Sequence, residues 1–214
     1  MNSNKLEKHF ITKKKIAMIS ETKEPHQLFT KWLSDAKTEE INNYNAMNIA
    51  TVGRDGRPSN RMVLLKDHDK ESFVFYTNYE SKKGESILEN PFVSLCFHWK
   101  SLKRQVRIEG KAEQVSPQEA DAYYASRARE SQIAAWASEQ SRPMKSRGTF
   151  EQRLKHYTEK FPEDMPVPRP AHWSGFRIVA DRLEFWQEMP YRQHDRVVYT
   201  QDETKRWVTQ RLYP

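Results

Sequence analysis

Near the carboxyl end, the segment WQEMPYRQHDR from Trp186 to Arg196 gathers aromatic, basic and acidic side chains, with His194 among them. Such a set could bind and polarise a ligand, or simply knit a loop to the fold. Three further clusters favour anions. Lys82 and Lys83 open the helical pattern SKKGESIL behind Ser81, which is placed as an N-cap. Cations there oppose the helix macrodipole. An anion held by the free backbone N–H groups and the lysines would relieve that conflict, and so would solvation of both side chains. Arg61 and Lys66 flank MVLL, and their odd separation sends them to opposite faces of a regular strand unless a bulge or a long ligand reconciles them. In YYASRARES, Tyr123, Arg127 and Ser131 recur at four-residue steps. A continuous helix would line them on one face, which suits a phosphate as well as it suits an amphipathic rim.

Other chemistries find little support. There is no GxSxG elbow, no HxxxH pair and no ligand-spaced partner for His98, His172 or His194, so neither a nucleophile nor a metal site is expected. The GxGxxG and GxxxxGK[ST] patterns are also missing. Anion-friendly clusters without a nucleophile or a metal point to a phosphorylated cofactor or substrate, with the cofactor supplying the reactivity.

The elements that must position these residues are legible in outline. The chain has 214 residues, 36% hydrophobic and 30% charged, with six Trp, nine Tyr and ten Phe to supply buriable area. Its net charge of +7 permits anionic partners, but acids are interspersed with the bases and the dense run Lys13–Lys15 lies near a terminus, so no nucleic-acid partner is expected. Cys96, in the strand-like FVSLCFHW, is the only cysteine and reads as a small buried filler. No apolar stretch has the length of a membrane span, and MNSNKLEKHFITKKK lacks the apolar core of a secretory signal. A soluble, cytoplasmic protein without a membrane partner is the expectation.

Residues 1–24 lack periodicity and read as a mobile N-terminal arm. Leu28, Phe29, Trp32, Leu33 and Ala36 have helical spacing. NAMNIATV, RMVLLK and SFVFYTN form a meander, with Asp55-Gly56 supplying turn chemistry. FVSLCFHW and RQVRIEGKAEQV are further strands. Ser116, Pro117 and Glu119 form a capping box, and Thr149 with Gln152 suggests a second one at TFEQRLKHYTEKF. After the proline-rich connector FPEDMPVPRPAHW come FRIVADRLEFWQ, DRVVYT and RWVTQRLYP as three more strands. The expected class is mainly β with α (α+β): an antiparallel closed or nearly closed barrel with peripheral helices.

RMVLLK, FYTNYESKKG, RQVRIEGKAEQV, YYASRARESQIAAWASEQS and FWQ…RQHDR, in this order and spacing, closely resemble the pyridoxamine 5'-phosphate oxidase family over about residues 25 to 214. The resemblance implies a homodimer of split barrels, with 25–214 as the FMN-binding domain including a C-terminal dimerisation segment. FMN would sit in clefts at the subunit interface. Arg61, Met62, Val63, Leu64, Lys66, Tyr76, Thr77, Ser81, Lys82 and Lys83 match the positions that hold it. Gln105, Gln140, Ser141, Trp186 and Arg196 match further flavin contacts, several of them from the partner chain. Lys66, Tyr123, Arg127 and Ser131 match the residues on the substrate phosphate, while Arg192 and His194 match the pair set catalytically against the pyridine ring. The implied reaction oxidises pyridoxamine or pyridoxine 5'-phosphate to pyridoxal 5'-phosphate by hydride transfer to the flavin, with O2 reduced to hydrogen peroxide. Two alternatives are a split-barrel flavoprotein with another substrate or a deazaflavin-like cofactor, and a non-catalytic binder of flavin or pyridoxal phosphate. The chain departs from the family in QEMPY after Trp186, in Lys82 where arginine is common, and in its amino-terminal arm.

Overall fold

The structure, a computed structural model, describes residues 17–214. Its helices are α1 (Pro25–Glu39), α2 (Lys82–Glu89), α3 (Pro117–Ala125), α4 (Arg129–Ala137) and α5 (Arg147–Lys160). Its strands are β1 (Ala46–Val52), β2 (Pro58–Leu64), β3 (Asp67–His68), β4 (Ser72–Asn78), β5 (Phe92–Trp99), β6 (Arg104–Gln114), β7 (Trp173–Gln187), β8 (Asp195–Gln201) and β9 (Trp207–Leu212). All pairings are antiparallel in the order β2-β1-β5-β6-β7-β4-β3, and β8 and β9 extend from β7. This is the antiparallel barrel with peripheral helices that the order of the elements implied, in the split form that the family resemblance implied.

One long strand makes the split possible. The first half of β7 pairs with β4 and its second half with β8, while β6 runs beside both. The ladder shifts where Gly110 faces Ala180 and Glu109 faces Arg182, leaving Asp181 as the extra residue of a bulge. A Cβ on Gly110 would come within 2.1 Å of the Val179 carbonyl oxygen, so only glycine allows this bend.

Inside the curved sheet, alternate residues such as Met47, Ile49, Leu95, Phe97, Val106, Ile108 and Phe185 are fully buried. Helix α1 plugs this interior with Leu28, Phe29, Trp32 and Ala36. Phe29 meets Phe73 and Phe97 edge-on at 4.8 and 5.3 Å. A second apolar cluster of Tyr124, Ile133, Phe161, Val167 and Trp173 holds α3, α4 and α5 against the start of β7.

Three local expectations differ from what the chain does. Residues 1–16 of the expected arm lie outside the described residues, but residues 19–22 are tied down. Ile19 is buried, its N–H donates to Asp195 Oδ2 at 2.7 Å, and Arg211 joins Asp195, Glu21 and the Ile19 carbonyl. Helix α5 begins at Arg147 with Ser146 at the cap position, so Thr149 lies inside it. The helix expected to carry Tyr123, Arg127 and Ser131 is broken: α3 ends at Ala125, and Ala128 has ψ 139. The Gln132 side-chain amide donates to the freed carbonyls of Tyr124 and Ala125, and the Tyr124 hydroxyl donates to the Gln132 carbonyl, so the break leaves these groups satisfied.

Candidate functional site

A cleft of about 920 Å³ opens between edge strand β2, the end of β4, the start of α2 and the α3–α4 and α4–α5 connections. It is lined by Arg61, Met62, Val63, Leu64, Lys66, Tyr76, Thr77, Lys83, Tyr123, Arg127, Ser131, Gln140 and Ser141, all singled out from sequence. The broken helix still delivers its stripe: Tyr123 from the last turn of α3, Arg127 from the connection and Ser131 from the first turn of α4. Lys66 shares the cleft with Arg61 because β2 ends at Leu64 and the chain turns there, with the Lys66 N–H donating to the Val74 carbonyl. Strand parity therefore does not apply across that pair.

At one end of the cleft, Ser81 caps α2 by accepting from the Gly84 N–H, and its hydroxyl donates to the Asn78 carbonyl. A Cβ on Gly84 would lie 2.3 Å from the Tyr79 carbonyl oxygen. That close approach seats the first turn so that Lys83 is 9% exposed, donating to Ser81 Oγ at 2.9 Å and to Gln140 Oε1 at 2.6 Å. Burial, with the Arg61 charge adding to it, pushes the Lys83 ammonium down from 10.5 to about 8. Arg61 donates to Thr51 Oγ1, Ser59 Oγ and the Ile49 carbonyl. Lys82 points elsewhere, into a surface groove with Arg54, Ser59 and Glu89.

At the other end, Tyr76, Tyr123 and Trp173 form a parallel stack, with Tyr76 and Tyr123 centroids 3.9 Å apart. The Tyr76 hydroxyl is 3.5 Å from Glu119 Oε1, and burial followed by the Glu119 charge raises its pKa to about 12. Tyr76 is therefore a neutral donor at any physiological pH. Glu119 is itself gripped by Arg177 at 3.0 and 3.1 Å. Arg127 Nη1 is buried with no hydrogen-bond partner among the described residues. Trp173, which sequence spacing did not flag, lies under the Arg127 guanidinium at 4.6 Å.

Arg61, Lys66, Lys83 and Arg127 thus face one cleft with no carboxylate in ion-pair range of them among the described residues. Two cationic ends, one of them set against an aromatic stack, suit two phosphates on planar ring systems.

Gln105, Trp186, Arg192, His194 and Arg196 do not line this cleft. Gln105, Trp186 and Arg196 are register neighbours across β6, β7 and β8. The cleft takes in the start of β7 at Trp173, whereas Trp186 stands near the other end of that 15-residue strand, so the two sets do not converge on one ring within one chain. The loop after Trp186 is not extended. It makes a 3₁₀ turn over Pro190–Arg192, with Tyr191 and Arg192 at φ 58 and 61. Strand parity therefore cannot align Arg192 with His194. His194 packs on Trp186 at 4.6 Å, and its Nδ1 accepts from the Met189 N–H, which leaves Nε2 to carry the proton in the neutral ring. Arg196 is held by Glu184, whose Oε1 accepts from Nε at 2.9 Å and Nη2 at 2.7 Å.

Comparison with known proteins agrees with this geometry. The family described as pyridoxamine 5'-phosphate oxidase matches residues 33–161, and the pyridoxine 5'-phosphate oxidase C-terminal dimerisation region matches residues 173–214. A pyridoxine/pyridoxamine 5'-phosphate oxidase of Gluconobacter oxydans is 56% identical over 199 residues, 93% of this chain and 98% of that protein. Its counterpart in Brucella canis is 54% identical over 196 residues, 91% of this chain and 96% of that one. Among solved structures, PhzG from Burkholderia lata 383, in complex with tetrahydrophenazine-1-carboxylic acid, superposes with a TM-score of 0.85 at 27% identity, covering 90% of this chain and 94% of its own. An FMN-binding protein of Nostoc punctiforme shares the fold, with a TM-score of 0.70 at 18% identity and coverage of 88% and 96%. The paired profiles, each falling on the segment whose strands and cleft they should describe, establish that this chain belongs to the pyridoxamine 5'-phosphate oxidase family.

Proposed function

We propose that this protein is an FMN-dependent oxidase that converts pyridoxamine 5'-phosphate or pyridoxine 5'-phosphate to pyridoxal 5'-phosphate. The observation that carries this reading is the pair of cationic ends in one cleft, neither of them neutralised by a carboxylate among the described residues. Arg61, Lys83, Thr77 and Gln140 fit the flavin phosphate; Lys66, Tyr123, Arg127 and Ser131 fit the substrate phosphate. Bound FMN supplies the two-electron acceptor, and dioxygen is the final one. The amine then gives aldehyde, ammonia and hydrogen peroxide with consumption of water; the alcohol gives aldehyde and hydrogen peroxide.

The working unit is a homodimer. Met62 and Leu64 lie on the outer face of β2, exposed and part of the cleft lining, and Trp186 and Arg196 lie on the same sheet face. Packing that face against a second copy would bring the partner's aromatic and arginine set over the cleft and cover the apolar residues. Arg192 and His194 then reach the substrate ring from the partner, with His194 Nε2–H as a donor. Residues 25–214 act as one domain in this unit. Among the described residues no helix is long and apolar enough to cross a membrane. We place the enzyme in the cytoplasm, consistent with its single, unpaired Cys96.

The protein should purify yellow and release peroxide on addition of pyridoxamine 5'-phosphate. In an anaerobic single turnover, Arg192→Ala should slow flavin reduction by about 10²-fold or more, as loss of positioning does, while reoxidation by dioxygen is nearly unchanged. A colourless protein that takes up no FMN would sink the reading. Normal reduction in flavin-loaded Arg192→Ala would remove that residue from the mechanism.

A further inference from the structure

Trp173 is the first residue of β7, 7% exposed, and belongs to the second apolar cluster. Packing alone would explain its burial, but not what lies on its face. The Arg127 guanidinium carbon is 4.6 Å from the centroid of its ring and 5.7 Å from that of Tyr124. Arg127 lies in the non-helical break between α3 and α4, where no helical turn fixes its side chain. Its Nη1 is buried without a partner among the described residues. No acid anchors this arginine among the described residues, whereas Arg169, close by, is fixed by Asp121 at 2.6 Å. Something other than a salt bridge must hold the guanidinium in place.

We propose that Trp173 is a positioning residue for the substrate phosphate, its indole holding the Arg127 guanidinium so that the unpaired Nη1 faces the phosphoryl oxygens; this rests on the functional reading above. A guanidinium is planar, weakly hydrated and attracted to the negative face of an indole. Covering one face with an aromatic ring restrains the cation without using any of its N–H donors. A carboxylate in the same place would take up donors and cancel the charge that selects a phosphate. The same indole lies parallel to Tyr123, with centroids 6.1 Å apart, and Tyr76 is the closer ring on that tyrosine at 3.9 Å. Discrimination for phosphorylated over unphosphorylated substrate thus depends on a residue that donates nothing to the substrate.

The test is equilibrium dialysis of the FMN-loaded protein with pyridoxal 5'-phosphate and, separately, with pyridoxal. Trp173→Leu should weaken binding of the phosphorylated ligand by roughly 3–30-fold, the range of a lost cation–π contact, and leave pyridoxal binding unchanged. Trp173→Phe should recover binding to within about threefold of wild type, because a weaker aromatic face remains. In the Arg127→Ala background, either Trp173 substitution should add less than about twofold, since the group it positions is gone. Equal weakening in both Arg127 backgrounds, or a Phe variant as weak as Leu, would overturn the proposal and return Trp173 to the core. If Trp173→Leu does not retain flavin, the Phe variant in the two backgrounds decides by the same criterion. Wild-type protein that fails to bind pyridoxal 5'-phosphate would overturn the functional reading and this inference with it; tight wild-type binding that ignores Trp173 would overturn the inference alone.

Discussion

The cleft beside β2 and the outer face of β6, β7 and β8 are both rich in arginine and use it in opposite ways. On the outer face, Glu184 is 2% exposed and takes Arg196 at 2.7 Å, Arg182 at 3.3 Å and Arg107 at 3.4 Å, while Glu109 takes Arg182 and Arg107 again at 2.9 and 2.8 Å. In the cleft, Arg61, Lys83 and Arg127 meet hydroxyls, amides, carbonyls and rings. A cation with a carboxylate is already neutralised, and its task is to fix geometry. A cation without one keeps a net field for a ligand, at the expense of stability in the empty protein. Arg196, matched by resemblance to a flavin contact, is of the first kind: Glu184 and the Tyr213 carbonyl occupy its fork, so it offers a rigid, oriented surface.

The largest expected effect tests the neutralised face. Glu184→Ala leaves Arg107, Arg182 and Arg196 clustered without the acid, and breaking a buried pair costs about 3–5 kcal/mol. These arginines are partly exposed, so the lower end applies, a fall of roughly 6–12 °C in Tm for a chain of this size. Thermal unfolding by circular dichroism measures it. A shift under about 2 °C would mean that solvent already screens the cluster, and the contrast between the regions would fail.

The cleft should respond with the opposite sign. Lys83 titrates near 8 in the fold, below its ordinary 10.5, so between those values the unfolded chain binds the proton more tightly. Stability of the flavin-free protein attributable to Lys83 should therefore rise as pH climbs from 8 to 10.5. Lys83→Met should be more stable than wild type at pH 7 and lack that rise. FMN affinity should run the other way, falling above pH 8 by at most about tenfold per unit as the cation that meets its phosphate is lost. Flavin fluorescence on release and thermal melts at matched pH give both slopes. Slopes of the same sign would show that Lys83 is structural.

What was legible from sequence follows the range of the interactions. Helix α1 could be read from Leu28, Phe29, Trp32 and Ala36, and the caps at Ser81 and Ser116 from residues three apart, because a helix repeats locally. The turn at Gly56, with φ 70, was legible from Asp55-Gly56 for the same reason. The pairs that distinguish the two regions were not: Lys83 meets Gln140 across 57 positions, and Arg107 meets Glu184 across 77. Nothing in spacing says which of many arginines will find an acid. Motif resemblance gathered the cleft residues despite this, but it could not show that Trp173 holds Arg127, or that Ile19 and Glu21 are bound to Asp195 and Arg211.

The smallest expected effect concerns the loop that joins the two regions. Tyr191 is 92% exposed and Arg192 follows it, both with left-handed backbone that non-glycine residues adopt at a cost. Two such residues in succession, just before His194, fix the direction in which Arg192 leaves the sheet. Because the Tyr191 ring packs on almost nothing, Tyr191→Gly removes little contact and relieves backbone strain. The greater freedom of glycine in the unfolded chain opposes that gain. The net change should be a stabilisation of at most about 1 kcal/mol, a rise of no more than roughly 2–4 °C in Tm. The catalytic consequence should be larger than the thermal one, because a glycine at this point lets Arg192 sample other directions. Turnover with pyridoxamine 5'-phosphate should fall while FMN content stays fixed, since Trp186 and Arg196 are held by β7 and β8 and not by the turn. Loss of flavin from Tyr191→Gly would mean that the loop and the strand residues act as one unit. Unchanged turnover would mean that the left-handed pair is incidental to where Arg192 points.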